Sequence, residues 1–198
     1  KPFGLNNDAY QVYPAFGDIY GQHSITFKGM ILNYGLRLDY WLPGKYVDDA
    51  GNDTSVTNIT PQIRSAYYDD SYTIFGRQVK FRLAPRVCIS HPITNNQTLF
   101  FSYGHFSKRP KPQFVYAKIN PQSSQSTFQK YGNPNLNPET TVAYELGIRN
   151  QFTNDDVFTL TAYYKNIYDY VATRSIRINS GRLLGQSFIT YFNQDYAR

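Results

Sequence analysis

The strongest constraint in this sequence is an alternation of apolar and polar side chains with a period of two, repeated along much of its length. From Val79 to Ser90 one set of positions reads Val79, Phe81, Leu83, Pro85, Val87, Ile89; the other reads Lys80, Arg82, Ala84, Arg86, Cys88, Ser90. Between Ile31 and Leu42, Leu32, Tyr34, Leu36, Leu38 and Tyr40 oppose Asn33, Gly35, Arg37 and Asp39. Val142, Tyr144, Leu146 and Ile148 oppose Ala143, Glu145, Gly147 and Arg149, and Phe158, Leu160, Ala162 and Tyr164 oppose Thr159, Thr161, Tyr163 and Lys165. Successive side chains of a strand point to opposite faces, so this period predicts strands with one apolar and one polar face. No comparable helical stripe is present, and the expected class is all-β and antiparallel.

The connections have a rhythm of their own. Strands are expected near 9–20, 25–42, 78–91, 98–107, 140–152, 157–172 and 187–198. Short turns are expected at Gly21-Gln22-His23-Ser24, from Pro92 to Gln97 and at Thr153-Asn154-Asp155-Asp156, where Asn and Asp tolerate left-handed backbone. The remaining connections, roughly 43–77, 108–139 and 173–186, far exceed the usual length of about 4–6 residues. Short and long connections in strict alternation suit an up-and-down transmembrane β-barrel with short periplasmic turns and long extracellular loops. The strands also suit it, since a tilted spanning strand needs about 9–11 residues and soluble strands average about 5–6. About seven strands of a larger barrel are expected here.

If the sheet lies in lipid, the apolar face looks outward. Arg37, Asp39, Arg82, Arg86, Glu145, Arg149 and Lys165 then face the lumen, because an Arg at the bilayer midplane costs roughly 2–4 kcal/mol. On a soluble sheet the same residues form the solvated face, and alternation alone fits both, so a soluble or cell-surface β-sandwich binding carbohydrate stays open. Tyrosines gather where strands end, at Tyr10, Tyr13, Tyr20, Tyr40 beside Trp41, Tyr67, Tyr68, Tyr168, Tyr170, Tyr191 and Tyr196. They fit a headgroup-level girdle or ordinary β propensity equally.

Composition excludes several other classes. A single Cys rules out a disulfide framework, and charged residues are only 17% of the chain while aromatics match them at 17%. No run approaches the roughly 18 apolar residues of a membrane-spanning helix. His23, His91 and His105 share no metal-ligand spacing, and Cys88 has no assignable partner base, so no metal, cofactor or catalytic residue is expected. Asp48, Asp49, Asp53, Asp69 and Asp70 match no calcium loop. The net charge of +6 is spread through the strands, with no recognition element for nucleic acid. Candidate ligand contacts lie in the long connections, where aromatics interleave with cations: Lys108, Arg109, Tyr116, Lys118, Phe128, Lys130, Tyr131, Arg174 and Arg177. Such a mixture suits anionic chelates, peptides or glycans. The chain opens at Lys1 without Met and stops at Arg198 inside a strand-like pattern, so a piece of a longer polypeptide is expected.

One run is more specific. From Tyr131 to Ile148, the residues Gly132, Asn133, Pro134, Leu136, Pro138, Glu139, Tyr144, Glu145 and Gly147 fall at the positions of a motif that leads from an extracellular loop into a barrel strand in TonB-dependent outer-membrane transporters, which the chain resembles. Leu83-Ala84-Pro85-Arg86, the run Tyr103-Gly104 to Arg109-Pro110, and Gly35-Leu36-Arg37-Leu38-Asp39-Tyr40 resemble further strands of that family. Its Oar-like branch, with a carboxypeptidase-regulatory-like domain ahead of the plug, is the closest in tone. The resemblance implies a barrel of about 22 strands around a plug in the outer membrane of a Gram-negative bacterium. It implies partners: outer-membrane lipids, the rest of the barrel and plug, and TonB with its inner-membrane motor proteins. It implies energised import of a scarce small molecule, peptide or glycan, or alternatively a transporter-like barrel with a structural role in a surface or secretion complex.

Overall fold

A computed structural model of the chain describes residues 10–54, 59–119, 130–177, 185 and 187–194. In chain order the elements are β1 (Ala15–Phe27), β2 (Met30–Leu42), α1 (Lys45–Asn52), α2 (Pro61–Asp69), β3 (Tyr72–Ile74), β4 (Arg77–Pro92) and β5 (Gln97–Lys108). They continue with α3 (Pro112–Tyr116), β6 (Lys130–Tyr131), β7 (Glu139–Gln151), β8 (Val157–Tyr168), β9 (Tyr170–Arg177) and β10 (Ser187–Gln194). Neighbours in the main sheet run β1-β2-β4-β5-β7-β8, each pair antiparallel, with the short β3 added beside the start of β4. The sheet is open, as a segment of barrel wall would be. A smaller sheet places β10 between β9 and β6.

The pairing register fixes the faces. Directly opposed residues share a face, and Asp39 opposes Arg82, Gly35 opposes Arg86, Ser102 opposes Glu145, Thr98 opposes Arg149 and Ala143 opposes Lys165. Followed from strand to strand, Arg37, Asp39, Arg82, Arg86, Glu145, Arg149 and Lys165 all fall on one face. The other face carries one transverse row of His23, Tyr34, Val87, Tyr103, Tyr144 and Tyr164 and another of Ile25, Leu32, Ile89, Phe101, Leu146 and Ala162. Tyr103 stacks against Tyr144 at 5.1 Å, and Tyr144 against Tyr164 at 6.2 Å.

Most of the apolar face is uncovered among the described residues. Leu160 is 61% exposed and Leu146 51%, as are Ile19 at 69% and Leu83 at 55%. Burying one such side chain fully stabilises by roughly 1.5–3 kcal/mol, so these four alone leave several kcal/mol unrealised in water. A face of this kind needs an apolar solvent. Among the described residues no second sheet covers it.

The buried core lies elsewhere, in the long connections. Val47 of α1, Ile63 and Tyr67 of α2, Val115 and Tyr116 of α3, with Ile119, Leu136, Trp41 and Tyr191, form one hydrophobic cluster at the end of the sheet where β2 stops and β4 begins. These connections are thus a folded cap. The sequence pattern hid its helices because they are only five to nine residues long, too short for a 3.6-residue period to emerge. Local chemistry starts them nonetheless: Thr60 caps α2 by accepting the Ile63 N–H at 3.3 Å, and Pro61 occupies the first helical turn. Tyr67 donates a hydrogen bond to Asp48 Oδ1 at 2.9 Å, tying the two helices together.

Three expectations are corrected. Gly21-Gln22-His23-Ser24 is no turn; it pairs with Leu36-Gly35-Tyr34-Asn33 in the middle of β1 and β2. The reversal falls at Lys28 and Gly29, whose φ angles of 47° and 81° make the tight left-handed turn that a two-residue hairpin needs. The strand expected over 157–172 breaks at Asp169, which takes φ 57° and turns the chain from β8 into β9. The stretch 173–186 begins as strand, since β9 runs to Arg177 and pairs with β10. The girdle is also thinner than expected: Trp41, Tyr67 and Tyr191 are buried in the cap core, and Tyr20 opposes Arg37 on the charged face. Tyr196 and the end of the last expected strand lie outside the described residues.

Two outcomes follow. A Cβ at Gly132 would stand 2.5 Å from the Val115 carbonyl oxygen, which backbone cannot vacate cheaply. Gly132→Ala should destabilise the cap by about 1–3 kcal/mol, read as faster limited proteolysis between residues 43 and 138. Gly21→Ala, with nothing within 4 Å, should leave it unchanged. Second, burial pushes the Tyr116 phenol up to about 12 and raises Tyr67 as well. A raised phenol keeps its proton in the folded cap after the unfolded chain has lost it near 10, so the stabilisation is whole below pH 10 and falls as pH rises towards 12. Near-ultraviolet circular dichroism of the cap tyrosines should show that loss, and Tyr116→Phe should shift it to higher pH.

Candidate functional site

A cavity of about 640 Å³ opens where the charged face of the sheet meets the cap. Its wall comes from β1 (Phe16, Asp18), β2 (Arg37, Asp39, Trp41), β4 (Lys80, Arg82), the end of β5 (Lys108, Arg109) and the strap Asn137-Pro138 that precedes β7. That volume falls within the usual range for ligand pockets, about 300–1,000 Å³.

Its cations are employed differently. Arg37 is held between two carboxylates, Nη2 to Asp18 Oδ2 at 3.0 Å and Nε to Asp39 Oδ1 at 2.6 Å. Arg82 pairs with Asp169 at the β8–β9 junction. Lys80 is only 4% exposed; its ammonium donates to Asn135 Oδ1 at 2.8 Å and Asn137 Oδ1 at 2.9 Å, and no carboxylate of the described residues forms an ion pair with it. Lys108 reaches Glu139 only at 3.8 Å and its side chain is 73% exposed. Arg109 lays its guanidinium 3.3 Å from the centroid of the Phe16 ring, and it has no ion-pair partner among the described residues. Arg37 and Arg82 therefore brace the wall, whereas Lys108 and Arg109 present charge at the cavity mouth. An anionic group with a flat or apolar body matches such a surface.

The other candidates from the connections lie apart from this cavity. Tyr116 is a core residue whose hydroxyl donates to the Pro43 carbonyl at 2.9 Å. Lys118, at φ 53°, sits over the Tyr131 ring at 4.6 Å, and Lys130 lies 5.8 Å from the Tyr191 ring. Tyr131 packs edge-on against Phe188 and its carbonyl accepts from Thr190. Arg174 covers Phe192 at 5.4 Å, and Arg177 ends β9 opposite Ser187. Phe128 lies outside the described residues. On the charged face, Arg86 stacks on Phe106 at 4.8 Å and Glu145 accepts from Ser102 at 3.4 Å.

The motif from Gly132 to Gly147 has a physical reading at each position. Gly132 passes against the α3 backbone, its N–H donating to the Ala117 carbonyl at 2.6 Å. Asn133 is buried; its amide donates to Tyr191 O at 2.8 Å and its Oδ1 accepts from the Asn135 N–H at 2.8 Å. Pro134 and Leu136 fill the cap core. The Pro138 carbonyl receives Arg82, and Glu139 opens β7 facing Lys108. Tyr144 joins the outer aromatic row, and Gly147 leaves room for the Phe100 ring, whose Cζ would lie 2.2 Å from an added Cβ. The residues that sequence reasoning missed are Phe16, Asp18, Lys80 and Asn137. Asp18 was hidden by the misplaced turn, because only a reversal at Lys28-Gly29 brings it opposite Asp39 and beside Arg37.

Comparison with known proteins agrees with this geometry. Residues 2–198 match the family described as TonB dependent receptor-like, beta-barrel. No curated protein matches the chain. A variant of the ferric enterobactin receptor of Pseudomonas aeruginosa superposes with a TM-score of 0.60 at 17% identity, over 93% of this chain and 23% of that one. The hemophore receptor HasR of Serratia marcescens, in complex with its hemophore and heme, superposes with a TM-score of 0.55 at 17% identity, over 91% of this chain and 29% of that one. The chain thus spans about a quarter of the length of these receptors, and at such identities the likeness concerns the fold. With the family match covering nearly every residue, the chain belongs to the TonB-dependent receptor-like β-barrel family.

Proposed function

We propose that this chain is part of the wall and outer mouth of a transporter in the outer membrane of a Gram-negative bacterium, which takes up a scarce ligand at its extracellular side and imports it with energy delivered through TonB and its inner-membrane motor proteins. The observation that carries the reading is the sorting of the two faces. Arg37, Asp39, Arg82, Arg86, Glu145, Arg149 and Lys165 share one face, and the opposite face is mostly Leu, Ile, Val, Phe and Tyr, many of them exposed. Lipid on the apolar side and an enclosed lumen on the charged side satisfy both at once. The rest of the barrel and its plug would pair the free edges of β1 and β8, which hydrocarbon does not tolerate unpaired.

The ligand would be engaged at the cavity under the cap, with Lys108 and Arg109 as its first cations. This favours an anionic chelate or an acidic peptide over a neutral glycan. The proposed chemistry is binding and passage, not catalysis.

The test is genetic and physical together. A strain lacking this protein and a strain lacking TonB should share a growth or uptake defect on one ligand among a panel of ferric chelates, heme, peptides and glycans. Lys108→Ala with Arg109→Ala should reproduce that defect in part, weakening uptake by roughly tenfold for two lost charge-assisted contacts, while the barrel still assembles. Normal uptake in the strain lacking TonB of a ligand that the strain lacking this protein fails to take up, or no defect on any substrate, contradicts TonB-energised transport.

A further inference from the structure

We propose that the six-residue strap Asn133–Pro138 is a clasp through which the long connections of the cap open and close as one cooperative unit. Its polar residues tie it to α3, to the end of α2 and to β10. Asn133 bonds the Tyr191 carbonyl of β10, and its own N–H donates to Phe114 O of α3 at 2.8 Å. Asn135 donates to Asp70 Oδ2, just beyond α2, at 3.0 Å. Asn137 is held by the side chain of Asn193: its N–H donates to Asn193 Oδ1 at 2.8 Å, and its carbonyl accepts from Asn193 Nδ2 at 3.0 Å. The same Asn193 amide reaches Asp169 O, where β8 becomes β9, at 2.7 Å. Between these polar ties Leu136 is fully buried in the core formed by all the connections.

Lys80 pins the strap to the barrel wall. Its ammonium, almost wholly out of water, has the strap oxygens of Asn135 and Asn137 as acceptors, so it is satisfied only while the strap is seated. Lifting the strap would strand that charge, expose Leu136 and unpair donors or acceptors at Asp70, on α3 and on β10 in one step. Losses coupled in this way make an all-or-none opening rather than independent loop motions. Asn137 and Pro138 also line the cavity, so an opened clasp removes part of its wall.

Hydrogen exchange followed by mass spectrometry on the intact protein in micelles tests this. Lys80→Met and Asn193→Ala act at different ends of the network. Each should accelerate exchange in α1, α2, α3 and the β9–β10 pair by one common factor, about tenfold or more, with the β1–β2 and β7–β8 hairpins unchanged. Acceleration confined to residues 133–138 and their immediate neighbours, unequal factors among the cap segments, or no acceleration would overturn the proposal. Should Lys80→Met fail to assemble, Asn193→Ala alone carries the same test with the same outcomes.

Discussion

Everything in this structure depends on one geometric constraint: in a hydrogen-bonded antiparallel sheet, the register decides which face every side chain occupies. A slip of one residue between two strands would move an entire apolar set to the other side. With β2, β4, β5, β7 and β8 paired as they are, Arg37, Arg82, Arg86 and Arg149 all fall on the face opposite the long aliphatic rows. The short reversal at Lys28-Gly29 and the short link from Pro92 to Gln97 hold that register at one end, and the cap holds it at the other. The sheet supplies two chemically distinct surfaces, and on the proposed reading the burial of its apolar face is left to the membrane.

The cap answers a different requirement. Chain that leaves the bilayer into water must bury its own apolar residues, and it does so by gathering short helices, the Gly132–Pro138 stretch and the β9–β10 pair into one core. The motif is therefore more than a marker of family. Gly132 lets backbone approach backbone, the asparagines replace absent strand pairing with side-chain hydrogen bonds, and the prolines hold the segment extended. The cavity is a consequence: it is the space left between a charged wall and a cap that needed closing.

The strands were readable from sequence because period two is strong over a dozen residues, as in Val79 to Ser90, and because each long strand repeats the same lesson. What was not readable depended on contacts distant in sequence. Gly21-Gln22-His23-Ser24 has turn-like composition, yet pairing along the full lengths of β1 and β2 overrides it, and the true reversal is a Lys-Gly step with weak compositional signal. Tyr67 and Trp41 fitted interfacial rings as well as ordinary strand residues, and Tyr116 read as a ligand contact, since amphipathic aromatics give no hint of a folded cap around them. Lys80 read only as one member of the polar set of its strand; its burial by Asn135 and Asn137 arises when residues some fifty-five positions away fold back upon it. Lys108 and Arg109 reached the cavity, whereas Lys118, Lys130, Arg174 and Arg177 of the same basic series were drawn to other aromatic partners or to the edge of the small sheet.

The central claim, that one face of the sheet meets hydrocarbon and the other an enclosed lumen, is tested most directly along β7. Spin labels placed singly from Val142 to Arg149 in the intact protein, reconstituted in lipid, report collision with dissolved oxygen at each position. The account predicts a period of two, with high oxygen access at Val142, Tyr144, Leu146 and Ile148 and low access at Ala143, Glu145, Gly147 and Arg149. Equal access on both sets, or maxima at Glu145 and Arg149, would contradict it.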